Sequence, residues 1–296
     1  MNTISVKPSE IDIRRAHERF HTEISWLDSW HSFSFSNHYD PANTHHGLLL
    51  VSNDDTVTAG AGFRTHPHED MEIVTWVLDG ELEHKDSEGN KGILYPGLAQ
   101  RMSAGTGIRH SEMNPRTDQE VHFIQMWVVP DTRRITPGYQ QLDVNGYLAK
   151  GGLVPVASGK GHNSAISIYQ KGAVLWAGRL QPGETVTVPD NVYVHLYVAK
   201  GSVQLEQAGR LNAGDAVKFP AADGAIKEFA GIAANRFVAT ERQFPNPVGL
   251  ETVSDAQPVA AFHPFGCARA KPILAVGLGK RVTALNQQAF GQSATE

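Results

Sequence analysis

Two short segments, far apart in the chain, restrict how it can fold. The first is Phe63-Arg64-Thr65-His66-Pro67-His68-Glu69-Asp70-Met71-Glu72, and the second is Gly105-Thr106-Gly107-Ile108-Arg109-His110-Ser111-Glu112. Each carries two potential metal ligands at positions i and i+2. Successive side chains on a strand point to opposite faces, so residues two apart share a face. His66 and His68 can aim at one point, and so can His110 and Glu112. Two such strands side by side would deliver three imidazoles and one carboxylate to a single centre, with the rest of the chain as the barrel that holds them.

The flanking sequence predicts strands. Met71 to Leu78 is rich in Ile, Val, Thr and Trp. Asp79-Gly80 is a hairpin signal, with Glu81 to Lys85 as the returning strand. Ser87-Glu88-Gly89-Asn90 and Pro96-Gly97 mark further turns, and Val121 to Val129 closes the set at Pro130. Turns at intervals of roughly 8–12 residues indicate a sandwich or barrel. Gly105-Thr106-Gly107 reads as a tight turn that delivers His110, being too short for a phosphate loop. The chain is therefore expected to be all-β, built from antiparallel hairpins.

With 296 residues the chain has room for two domains. Residues 130–153 read as a connector, and a second strand-rich set runs from Ala165 to about Phe229. It echoes the first: Trp76-Val77-Leu78-Asp79-Gly80 resembles Tyr197-Val198-Ala199-Lys200-Gly201, and the turn at Gly97 returns at Gly214. The second copy offers Thr187 and Pro189 roughly where His66 and His68 stand, and no His-x-Glu pair follows Gly214. The expected division is a ligand-bearing domain over 1–135, a ligand-free domain over 136–234, and an atypical tail over 235–296, within which Ile273 to Leu278 reads as one strand or a helical turn. The net charge of -5, without a basic tract, argues against direct nucleic-acid binding. Cys267 stands alone and cannot form an internal disulfide. The start of the chain lacks a signal-peptide h-region and no run is apolar enough to span a membrane, so the expected compartment is the cytoplasm.

Three imidazole nitrogens and one carboxylate oxygen suit a divalent transition metal: Fe(II), Ni, Cu, Mn, Co or Zn. An octahedral ion with four protein ligands keeps two open positions, which catalysis requires. A closed structural zinc site would more often use cysteines. Glu72, four residues after His68, shares the face of His66 and His68 if the strand is regular, and could replace or supplement Glu112. His84 and His122 lie on predicted strands, more as wall residues than as partners of the ligands. His45 and His46 sit beside a turn signal and read as exposed, while His162, His195 and His263 have no same-face partner. Ser111 and His110 face opposite ways, which disfavours a Ser-His nucleophile. Trp26, Trp30, Phe33, Phe35 and Trp76 read as core, with one or two at the pocket mouth.

Trp26 to Phe35, Gly62 to His68 and Met102 to Glu112 together resemble the pirin family of the cupin superfamily, particularly the bacterial pirin-like quercetinases. The likeness runs from about Arg14 to about Arg134 and more thinly to about Phe229. It implies a bicupin, two β barrels face to face, with one metal in the first. Carried over residue by residue, the ligands fall on His66, His68, His110 and Glu112; Glu72 is not counted among them. The implied activity is a metal-dependent quercetin 2,3-dioxygenase that opens a flavonol-like aromatic substrate with O2 and releases carbon monoxide, with Fe(II) favoured. Glu112 would also accept the substrate's hydroxyl proton. The alternative is a pirin-like regulatory protein whose metal site supports contact with a transcription factor or enzyme. Two departures stand out: Glu69 where the family commonly has Arg or Lys, and the ending after about Asn235.

Overall fold

A computed structural model describes residues 11–189, 191–206 and 208–219, together with the backbone of 281–284. The strands are β1 (Asp12–Arg14), β2 (Phe20–Ile24), β3 (Leu27–His31), β4 (Leu49–Val57), β5 (Gly62–His68), β6 (Glu72–Asp79), β7 (Leu82–Asp86), β8 (Lys91–Leu94), β9 (Leu98–Ser103), β10 (Ile108–Met113), β11 (Val121–Val128) and β12 (Gly138–Asp143). They continue with β13 (Leu153–Ser158), β14 (Ile166–Ser167), β15 (Val174–Gly178), β16 (Thr185–Thr187), β17 (Val194–Tyr197), β18 (Ser202–Leu205), β19 (Gly209–Asn212), β20 (Ala216–Phe219) and β21 (Arg281–Ala284). Among the described residues the helices are one turn of 3-10 helix at Ala16–Glu18 and α1 (Asn145–Leu148). None is long and apolar enough to cross a membrane.

The expected all-β architecture of two barrels is what forms. In the first, a seven-stranded sheet ordered β12-β9-β6-β11-β4-β3-β2 faces a four-stranded sheet ordered β5-β10-β7-β8. Their inner faces meet in a cluster of Leu27, Val57, Val77, Leu82, Leu94, Leu98, Val121 and Phe123 at one end. Val51, Met71, Ile73, Met102, Ile108 and Trp127 cluster at the other. The middle strands of the seven-stranded sheet, β9, β6 and β11, are buried on both faces. Ile73, Thr75 and Val77 of β6 point into the barrel, whereas Val74, Trp76 and Leu78 join Val154, Val156 and Leu175 in the core between the barrels. This double burial explains why Glu72 to Leu78 reads as a near-continuous apolar run although its neighbours are antiparallel.

The second barrel holds the sheets β14-β13-β15, β1-β20-β17 and β16-β21-β18-β19. Its own core gathers Leu196, Val203, Leu205, Leu211 and Val217. The sequence echo has a backbone counterpart: Gly80 and Gly201 both turn at positive φ, 74° and 76°. A side chain there would be strained, and at Gly80 an added Cβ would also strike Glu120 O.

Strand pairing departs from the expected division in three places. β1, inside the stretch assigned to the ligand-bearing domain, pairs with β20 of the second. β12, read as connector, pairs with β9 and extends the first sheet. Arg281–Ala284, inside the stretch read as an atypical tail, lies between β16 and β18. β1 and β12 each extend a sheet edge and β21 fills a gap between two strands, pairings with distant segments that local pattern does not record. Ile273 to Leu278, His263 and Cys267 lie outside the described residues.

Candidate metal centre

β5 and β10 run antiparallel with His110 opposite His66 and Ile108 opposite His68. β5 is an edge strand, which accommodates Pro67 and its missing N–H between the two histidines. The expected tight turn precedes β10: Gly107 N donates to Ala104 O over 2.9 Å. Gly105 sits at φ 47° and packs so closely that a Cβ would approach Ile135 O to 2.0 Å. A bulge between His110 and Glu112 advances β5 from His66 to Phe63.

His66, His68 and His110 converge. Their ring centroids are 4.5 Å (His66 to His110), 4.8 Å (His66 to His68) and 4.9 Å (His68 to His110) apart, and their ligand nitrogens all lie within 4.8 Å of one another. Glu112 falls into a second, overlapping set with His84 and His110. It approaches the centre through His110, not as a member of the tight three-histidine group. Both its oxygens are held by the opposite wall: Gln125 Nε2 donates to Oε2 over 2.6 Å and Thr75 Oγ1 to Oε1 over 3.3 Å.

Burial sets the charge states. It lowers the basicity of His66, brings His68 to about 3, and holds His110 well below the ordinary range with help from neighbouring rings. Three neutral imidazoles therefore offer lone pairs near neutral pH. Burial pushes the Glu112 carboxyl up to about 7, against the opposing pull of its bonds from Gln125 and Thr75.

The polar atoms fit a metal. His66 Nδ1–H donates to Arg64 O over 2.7 Å, which leaves Nε2 as its lone-pair nitrogen. His68 Nε2 and His110 Nε2 are buried without a hydrogen-bond partner. Unpaired buried nitrogens are costly, and a divalent cation bonded to them removes that cost.

Glu72 does not share this site, contrary to the parity of a regular strand. Asp70 adopts φ 46° and breaks the alternation between His68 and Glu72. Glu72 turns to the opposite face, where Ser103 Oγ donates to Oε2 over 2.9 Å and Tyr169 N over 3.1 Å. His122 pairs with Asp54, and His162 Nδ1 lies 2.7 Å from Ser158 Oγ. His45 and His46 are half-buried, not exposed, because the loop is covered by the second barrel; His46 meets Tyr193 edge-on. Phe33 and Trp76 are core, while Trp26, Trp30 and Phe35 are half-buried. Phe35 meets Trp127 at 5.6 Å, and Trp127 meets His68 at 5.0 Å, forming an aromatic wall beside the histidines.

Sequence reasoning missed the polar row facing the ligands. His31, Asn53, Gln125, Thr75 and Gln100 are successive register partners across β3, β4, β11, β6 and β9. Trp127 Nε1 donates to Gln125 Oε1 over 3.1 Å and fixes which way that amide points. The available signal was a polar residue at an inward position: Gln125 interrupts the alternating series Val121, Phe123, Trp127.

The family model described as Pirin matches residues 13–128, and that described as Quercetinase C-terminal cupin domain matches 155–227. A provisionally named quercetin 2,3-dioxygenase of Mycobacterium tuberculosis is 56% identical over 214 residues, covering 72% of this chain and 88% of that protein. The quercetin 2,3-dioxygenase of Escherichia coli K12 is 54% identical over 131 residues, 44% of this chain and 57% of that one. Among solved structures, the bacterial pirin YhhW of Escherichia coli in complex with nickel(II) matches with a TM-score of 0.67 and 38% identity, over 78% of this chain and 96% of that one. With its two barrels, its converging histidines and these relatives, the chain belongs to the pirin family.

Proposed function

We propose that this protein is a metal-dependent dioxygenase of the quercetinase type, which opens a flavonol ring with O2 and releases carbon monoxide and a depside. The observation that carries this reading is the convergence of three neutral imidazoles beside a buried carboxylate, two of them with Nε2 atoms that no protein group satisfies. His66, His68 and His110 hold the metal through Nε2, with Glu112 as the fourth ligand. The donor set suits several divalent transition metals; Fe(II), the metal the family resemblance implies, is our first choice, and nickel, named with the pirin YhhW, the second. The metal, when bound, supplies Lewis acidity and open coordination positions for substrate and O2.

The protein's own groups do the rest. Trp127, packed edge-on against His68 and Phe35, makes the wall beside the ligands aromatic and suited to a planar substrate. Glu112, the buried carboxylate of the site, accepts the proton of the flavonol 3-hydroxyl. Gln125 and Thr75 keep that carboxylate in place.

The test is flavonol consumption measured with oxygen uptake and carbon monoxide release, on metal-analysed protein beside a His66→Ala control. Turnover that follows metal occupancy and vanishes in the control supports the proposal. A fully metallated protein that consumes neither flavonol nor oxygen rejects it.

A further inference from the structure

His84 and Asp86 lie on β7 beside the ligand strand β10, with His84 opposite Glu112 and Asp86 opposite His110. Both side chains are fully buried, with 0% exposure. We propose that they are positioning residues that fix the proton of His110 on Nδ1 and so keep its Nε2 lone pair directed at the metal. This inference rests on the metal reading above.

The chain of hydrogen bonds favours one proton arrangement. His84 Nε2 lies 3.2 Å from Asp86 Oδ2. A carboxylate accepts, so the ring proton of His84 sits on Nε2. A neutral imidazole carries one ring proton, so with Nε2–H donating to Asp86 the Nδ1 of His84 is a lone pair. That Nδ1 lies 3.5 Å from His110 Nδ1. Two lone pairs cannot face each other there, so His110 donates from Nδ1 and its Nε2 is left bare. His110 Nε2 is the buried atom without a protein partner.

The dyad is itself anchored. Asp86 Oδ1 accepts from Glu88 N over 3.0 Å and Asn90 N over 2.9 Å, and Oδ2 accepts from Asn90 Nδ2 over 2.9 Å. The tight turn after β7 thus holds the carboxylate. Tyr139 lies against the His84 ring with centroids 4.8 Å apart and planes 32° from parallel, which limits rotation of the imidazole. Through these contacts a surface turn is connected to the orientation of a buried ligand. Such partners raise the basicity of a ligating imidazole and set its tautomer.

The experiment uses the full chain, zinc(II) as the probe, and His84→Leu and His84→Gln. Gln can accept from His110 Nδ1–H through its side-chain oxygen, whereas Leu cannot. Long-range proton–nitrogen NMR of the histidine rings reads the tautomers, and chelator competition reads zinc affinity. In the metal-free parent, His110 should carry its proton on Nδ1 and His84 on Nε2, and the loaded parent should hold one zinc. His84→Leu should weaken zinc binding by about 10–100-fold and His84→Gln should restore most of it. A proton on His110 Nε2 in the parent, zinc bound to His84 Nδ1, or parent-like affinity in His84→Leu would overturn the inference. A parent that binds no zinc rejects the metal reading instead, and the metal-free tautomers then decide the inference alone.

Discussion

Gln125 Nε2 donates to Glu112 Oε2 across 2.6 Å, joining β11 of the large sheet to β10 of the small one. The carboxylate nearest the histidines is thus gripped by the wall it faces. Trp127, which touches His68 edge-on, orients the same amide. Removing the amide in Gln125→Ala leaves Glu112 with Thr75 as its remaining bond donor. Metal affinity is expected to fall by about 10–100-fold, measured by chelator competition. Parent-like affinity would show that the bond does not steady the site.

Glu112→Gln keeps the shape of the side chain but cannot take a proton. Turnover of flavonol should fall by roughly 10²–10⁴-fold, more than metal content does. The comparison is made between kcat and bound metal per chain; unchanged kcat rejects the proton-accepting role.

Metal binding should raise thermal stability, because the unfolded chain lacks the converged histidines. A ligand at about 1,000 times its Kd adds about 4 kcal/mol. Chelation should lower the Tm of the parent and leave that of metal-free His68→Ala unmoved. Equal shifts in both proteins would place the stabilising metal elsewhere.

Glu72 is predicted to matter for the joint between barrels and not for the metal. Glu72→Ala takes the acceptor from Tyr169 N and from the Ser103 hydroxyl, which keeps only its bond from Arg101, and should cost about 1–3 kcal/mol in denaturant unfolding. Metal per chain should stay at the parent value. Loss of metal at unchanged stability would return Glu72 to the ligand set.

Acid should destabilise the fold through His31. Burial lowers its pKa to about 4 from 6.5, although its bond to Asn53 acts the other way. Between those values the unfolded chain binds a proton that the folded one refuses. This stabilising contribution is complete above pH 6.5 and is lost as pH falls through about 4, on the order of 3 kcal/mol in all. Denaturation midpoints at a series of pH values across that window should show a shallower acid slope for His31→Gln than for the parent. Parallel slopes would mean that His31 is protonated in the folded state.

The sequence by itself determined the strands, the turns and the pairing of ligands along each strand. These follow from local physics: the period of two at His66 and His68, the glycines that turn at Gly80 and Gly105, and the edge position that Pro67 demands. The family likeness rested on the same residues. The tertiary structure decided everything that depends on which surfaces meet. A single φ of 46° at Asp70 sent Glu72 to the face between the barrels. β1 and β12 completed sheets outside their own halves of the chain. Gln125, Thr75 and His84 reached the ligands from other strands, and the one local hint, a polar Gln125 at an inward position, does not say which ligand it meets. Alternation along a strand says which side chains share a face. It carries no record of the strand that will lie opposite, because that choice is made by burial and hydrogen bonding summed over the whole core.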